Sequence, residues 1–228
     1  MTDTTSDSSA ELSAIELFAA QTAHDLNNLL TGILGNLELM QNRARRCGMT
    51  EFDDYLACAR QAGSRAAHFT QRLLAFSGRD AQAATPAALD AVIPRVIETL
   101  RATGLTIDME LAVGKDVLCS APQLELALRE LLDNAAQAAG MNGRITLRTE
   151  YAGDDAVISV TDTGPGMAAD ILRRATEPFF STRTGGVGQG LGLAIVERFA
   201  GRSGGTLELI SREGEGTTAR LRLPAIAP

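Results

Sequence analysis

The chain has 228 residues, 45% of them hydrophobic, and a formal net charge of −7 from 21 basic and 28 acidic side chains. That length allows one or two domains, each large enough for its own core. The acidic balance argues against a nucleic-acid partner, and the absence of any apolar run of about 18 residues argues against a membrane span.

The first nine residues are polar and acidic, lack a secretory signal, and read as disordered and cytoplasmic. Ser8-Ser9-Ala10-Glu11 has the form of a capping box opening a helix. Apolar or small residues then recur at Ile15, Ala19, Thr22, Leu26, Leu29, Ile33, Leu37, Met40 and Ala44, mostly in alternating steps of three and four, as on the seam of a bundle helix. Arg43, Arg45 and Arg46 suit its C-terminal dipole, and Gly48 suits its end. Thr50-Glu51-Phe52-Asp53 can cap a second helix with a stripe of Phe52, Leu56, Ala59, Gly63, Ala66, Phe69, Leu73 and Phe76. Two long helices on a short turn make an antiparallel hairpin. One hairpin cannot cover so wide a stripe, so a homodimer forming a four-helix bundle is expected.

The expected domains are a helical hairpin at 10–78, a linker at 79–88 and an α/β sandwich at 89–225. In the last, helices are expected at 91–100, from Ser120 to about 139, and at 191–203. Strands are expected at 106–111, 116–119, 144–151, 156–161, 206–211 and 217–223. The fold class is therefore α+β, with helices on one face of a sheet. Cys47, Cys58 and Cys119 are odd in number and widely spaced, fitting neither a disulfide framework nor a zinc site.

With Thr22 and Leu29 at d and Leu26 at a, His24 falls at f, farthest from the seam; Asn28 falls at c, also outward, and Asp25 flanks the histidine at g. An exposed imidazole is mostly neutral at pH 7 and is a competent nucleophile toward phosphorus. A neighbouring carboxylate can orient the ring and take its proton. His68 has no such neighbour.

Ala23-His24-Asp25-Leu26-Asn27-Asn28-Leu29-Leu30 resembles the phospho-acceptor H box of sensor histidine kinases. The resemblance implies that His24 carries a phosphoryl group, that Asp25 assists, and that Asn28 supports dephosphorylation of a partner response regulator.

Four further motifs follow in that family's order. Glu130-Leu131-Leu132-Asp133-Asn134 resembles the N box, and Glu130 and Asn134 share a helix face where an amide oxygen suits Mg²⁺. Asp162-Thr163-Gly164-Pro165-Gly166 resembles the G1 box, which implies that Asp162 reads the adenine amino group while the glycines bring backbone close to the ligand. Glu177-Pro178-Phe179-Phe180-Ser181-Thr182-Arg183 resembles the F box of a lid, with Phe180 in the ATP site and Thr182 and Arg183 toward phosphates. Gly186-Val187-Gly188-Gln189-Gly190-Leu191-Gly192 resembles the G2 box, whose exposed N–H groups run into a helix N-terminus and favour anions. Gly214-Glu215-Gly216-Thr217 closes the set, with Thr217 also expected at the ATP site. The order is not that of a Rossmann fingerprint, and no P-loop motif occurs. The resemblance spans about residues 10–225 and implies the Bergerat ATP-binding fold.

Two departures stand out. Glu130 replaces the asparagine usual at the first N-box position, as in hydrolytic relatives; it is either a tolerated variant or a residue that helps bind Mg²⁺ or raises ATP hydrolysis. Gln137 stands where a lysine often meets phosphate. About ten residues precede the first helix, too few for a sensor, so a separate sensor protein or a cytosolic condition is expected to supply the signal, unless the chain is a piece of a longer kinase. The expected activity is ATP·Mg²⁺-dependent autophosphorylation of His24 followed by transfer to a receiver-domain aspartate. The alternatives are a phosphotransfer hub that uses no ATP, or a Bergerat-fold ATPase or serine kinase.

Overall fold

The computed structural model describes residues 4–50, 52–77, 83–101, 107–112, 115–140, 143–182 and 190–226, with the backbone alone for 4–21, 24 and 101. The chain divides into two compact units, Met1–Asp80 and Ala81–Pro228.

The first unit is a pair of packed helices, α1 (Thr4–Arg46) and α2 (Asp53–Ser77). Residues 4–9, expected to be disordered, are the first turns of α1, and the Ser8–Glu11 motif lies inside the helix instead of opening it. The segment holds no glycine or proline, and extending a formed helix adds one hydrogen bond per residue. At the other end Gly48 takes φ +69° while the Met49 N–H donates to the Ala44 carbonyl at 2.9 Å. Gly63 of α2 admits Leu34 of α1 so closely that a Cβ there would lie 2.7 Å from Leu34 Cδ2. Nearer the turn, Arg60 Nη1 donates to Gln41 Oε1 at 2.8 Å.

The covered stripe of α1 differs from the expected seam. Ala23 is buried, and Asn27, Leu30, Leu34, Leu37, Gln41 and Ala44 are half-buried, again in steps of four and three. Leu26, Leu29, Ile33 and Met40 keep 36%, 64%, 51% and 59% of their surface in water. The helix thus carries two adjacent apolar stripes, and its period alone does not say which one meets α2. On α2, Leu56, Leu73 and Phe76 are buried as expected, while Ala59 and, just before the helix, Phe52 are exposed.

The second unit runs β1 (Thr85–Ala88), α3 (Leu89–Arg101), β2 (Ile107–Glu110), β3 (Asp116–Cys119), α4 (Ala121–Ala139), β4 (Ile145–Ala152), β5 (Asp155–Asp162), α5 (Ala169–Arg174), α6 (Gly192–Arg202), β6 (Thr206–Arg212) and β7 (Gly216–Ile226). The sheet order is β1-β3-β7-β5-β4-β2, with β6 also on β7; pairing is antiparallel except between β2 and β4. Along β7, Ala219, Leu221 and Leu223 point into the core, while Arg220 and Arg222 face out to Glu208 and Asp155 at 3.5 and 3.2 Å. The core joins those inward residues to Val92, Ile93, Val96 and Ile97 of α3, Leu124, Leu128 and Leu131 of α4, and Val196 and Phe199 of α6. Cys119 is buried in it, which pushes its thiol up to about 11, whereas Cys47 and Cys58 are exposed; all three are free.

Three expectations change here. Residues 85–88, read as linker, form β1 and pair with β3, Thr85 opposite Cys119; pairing with a distant strand leaves no local period to read. The helix α5 was not foreseen; at six residues it is too short for a periodic stripe. Ser120 occupies the N-cap of α4 without a side-chain cap bond, and its Oγ is buried with no partner; its carbonyl accepts from the Leu124 N–H at 2.9 Å.

Candidate nucleotide site and phospho-acceptor helix

Asp162 is the last residue of β5, and the strand's inward alternation of Ala156, Ile158 and Val160 places it on the core side. Its backbone pairs with Thr217 of β7, and the residue is only 5% exposed. The Gly164 N–H donates to its Oδ1 at 2.8 Å. Burial pushes this carboxyl above the ordinary carboxylate value, and the backbone N–H bonds from Gly164 and Thr217 oppose the rise.

The carboxylate lines a cavity of about 310 Å³. Asn134 and Gln137 enter from α4, Gly166 and Met167 from the loop after β5, Ile171 from α5, Thr182 from the F-box segment and Thr217 from β7. Val160, Leu193, Leu209 and Ala219 make much of the wall apolar. A buried carboxylate acceptor in an apolar slot suits a flat base carrying an exocyclic amine. Sequence reasoning missed Met167, Ile171, Leu193 and Leu209 as wall residues, since an apolar side chain carries no chemical signature of the ligand it touches.

Two of the motif glycines also make room for the chain's own backbone. Gly166 sits at φ +66°, and a Cβ there would collide with the Arg212 carbonyl. A Cβ at Gly216, φ +88°, would collide with the Asp162 carbonyl. Both admit the chain's own backbone, fixing the loop on which the aspartate sits. Gly164 is tight as well, with room for a Cβ only 2.7 Å from the Ala138 carbonyl and 2.8 Å from Asp162 Oδ1.

Phe180 is half-buried beside the cavity without entering its wall. Gly190, at φ +64°, accepts a 2.8 Å hydrogen bond from the Phe179 N–H through its carbonyl. Leu191 and Gly192 are buried at the start of α6, whose N-terminal dipole suits phosphate. Arg183, Gly186 and Gly188 lie outside the described residues. Glu130 is 4% exposed and is not in the wall, which takes Leu131, Asn134 and Gln137 from the same helix. No group of three or more His, Cys, Asp or Glu side chains that could hold a metal occurs among the described residues. A Mg²⁺ ion here would rest on the Asn134 amide, water and phosphate oxygens, which fits a cation that keeps several waters.

His24 lies on α1, with its side chain outside the described residues; Asp25 and Asn28 beside it are exposed. No helix among the described residues is long and apolar enough to cross a membrane.

Residues 14–82 match the family model described as His Kinase A (phospho-acceptor) domain, and residues 119–227 match Histidine kinase-, DNA gyrase B-, and HSP90-like ATPase. The chain is 33% identical over 241 residues to the sensor kinase CckA of Brucella abortus, aligning 96% of itself with 25% of that protein. It is 30% identical over 219 residues to the sensor histidine kinase ZraS of Escherichia coli, aligning 94% of itself with 46% of that protein. It therefore spans a quarter to a half of the length of these relatives. Full-length ShkA, solved with AMPPNP, shares 26% identity at a TM-score of 0.74 over 92% of this chain and 46% of that one. With an H box on a two-helix unit, a buried aspartate over a nucleotide-sized cavity, and both domain models in sequence, the chain belongs to the sensor histidine kinases, as a phospho-acceptor domain followed by an ATP-binding domain.

Proposed function

We propose that this chain is a cytoplasmic protein-histidine kinase that phosphorylates its own His24 from ATP and passes the phosphoryl group to an aspartate of a response-regulator receiver domain. The observation that carries the reading is the buried Asp162 carboxylate at the wall of a cavity shared with Asn134, Thr182 and Thr217.

Asp162 accepts the adenine amino hydrogen, and Met167 and Ile171 flank the base. The N-terminus of α6 faces the phosphates. Bound Mg²⁺ supplies charge neutralisation on the phosphate oxygens; Asn134 is the group assigned to hold it, with Glu130, one turn earlier on α4, as the second candidate. A neutral His24 ring nitrogen attacks the γ-phosphorus in line, forming a P–N bond as the P–O bond to ADP breaks. The ring proton passes to Asp25, and ADP leaves. Positioning and electrostatics supply most of the rate. The receiver aspartate then takes the phosphoryl group from His24, and Asn28 assists the later dephosphorylation of the regulator. A homodimer forms through the open stripe of Leu26, Leu29, Ile33 and Met40 on α1.

Incubation with γ-labelled ATP tests the reading. Wild type acquires an acid-labile, base-stable phosphate and His24→Gln acquires none. Acid-stable label would indicate a serine kinase, and absence of nucleotide binding a hub that uses no ATP. If Glu130→Gln leaves both ATP hydrolysis and Mg²⁺ dependence unchanged, Glu130 has no part in the site.

A further inference from the structure

We propose that Arg174 is a positioning residue for nucleotide binding, fastening the 177–182 turn so that Thr182 is held at the cavity wall. The proposal rests on reading that cavity as the ATP site. Ile171, in the middle of α5, lines the cavity; Arg174, at the end of the same helix, does not. It lies instead over Phe180, its guanidinium carbon 4.1 Å from the ring centroid, well within cation–π range. Its Nε donates to Glu177 Oε2 at 2.9 Å, and its carbonyl accepts from the Glu177 N–H at 2.9 Å. The Phe180 N–H closes the turn on the Glu177 carbonyl at 3.2 Å. Arg174 therefore grips this turn by side chain and by backbone.

The turn is one that needs holding. Phe179 has φ +65°, a conformation rare for residues with a side chain, which persists where neighbours over-determine it. On the far side the Phe179 N–H is bound by the Gly190 carbonyl, and Gly190 has no room for a Cβ. Thr182 follows two residues after Phe180 and is itself a wall residue. Since α5 carries both Ile171 and Arg174, one short helix ties the base-binding side of the cavity to the segment bearing Thr182. The Arg174 side chain is 56% exposed, so filling the core does not account for its position.

The test is titration of a non-hydrolysable ATP analogue into the full chain. Arg174→Ala is expected to weaken binding about fivefold, the combined scale of an exposed cation–π contact and a surface ion pair. Arg174→Lys, which keeps a cation over the ring, stays within about twofold of wild type. Arg173→Ala, which removes an equal charge one residue away, leaves affinity unchanged. The Arg174→Ala/Phe180→Ala double variant loses less than the sum of the two single variants, because both remove the same ring contact. Wild-type affinity in Arg174→Ala, an equal loss in Arg173→Ala, or additive losses in the double variant overturns the proposal while the ATP site stands, with Asp162→Ala marking a lost pocket. A wild-type chain that does not bind the analogue overturns the ATP reading, and this proposal with it.

Discussion

The two units solve the burial problem differently. The ATP-binding unit closes on itself: Leu124, Leu128, Ile158 and Leu221 are all but sealed from water. The helical unit keeps Leu29, Ile33 and Met40 mostly exposed, along a stripe of α1 adjacent to the one that meets α2. Two helices enclose little volume, whereas a sheet with helices packed on it encloses a core. The first unit therefore leaves an apolar stripe in water, which the proposed homodimer would cover, while the second encloses a core of its own.

Breaking the open stripe should have the largest effect. Leu29→Asp with Ile33→Asp removes two apolar side chains per protomer, each worth about 1.5–3 kcal/mol when buried. Sedimentation should show a dimer dissociation constant raised at least about a thousandfold, with nucleotide affinity unchanged. A dimer of wild-type strength would mean that another surface joins the protomers.

The converse substitution sharpens the contrast. Asp162→Ala removes a charged hydrogen-bond acceptor worth about 1.5–3 kcal/mol, so calorimetry should show ATP affinity falling about 10- to 100-fold. The dimer should persist.

Gly35 tests the helical unit more gently. It sits in the interior of α1, and a Cβ there meets nothing within 4 Å. Gly35→Ala should stabilise α1 by about 0.8–1 kcal/mol, seen as a higher thermal midpoint. A fall in stability would show that the position is not as open as it looks.

The smallest effect concerns Asp162 without ligand. Its folded-state pKa is raised by burial, so the native state binds the proton more tightly than the unfolded chain. Its contribution to stability therefore declines as pH rises from the ordinary value of 3.8 through the folded pKa, and the deficit is complete above that. Asp162→Asn should raise the thermal midpoint of the ligand-free protein at pH 7 while weakening ATP binding. Equal midpoints for the two proteins across the whole pH range would contradict a raised pKa.

The chemistry was more legible in the sequence than the packing. His24, Asp25 and Asn28 fall within five consecutive positions, and the nucleotide motifs are short runs whose identity and order survive without coordinates. Asn134, Asp162, Gly166, Thr182 and Thr217 do meet around one cavity. Glu130 reads equally well as a ligand in sequence, but it is buried outside that wall, because it shares a face with Asn134 yet lies one turn, about 6 Å, farther back along α4. Gly166 lines the cavity as read, and both it and Gly216 also admit a carbonyl from elsewhere in the chain, a close approach that no local pattern announces.

Sequence by itself determined the type of the longer elements, the H box and the order of the nucleotide motifs, since periodicity and short spacing are local properties of the chain. Tertiary structure decided which stripe of α1 meets α2, that β1 joins β3, and that α5 ties the cavity to Phe180. Those outcomes depend on residues far apart in sequence competing for the same contacts, and a local pattern carries no record of which of them wins.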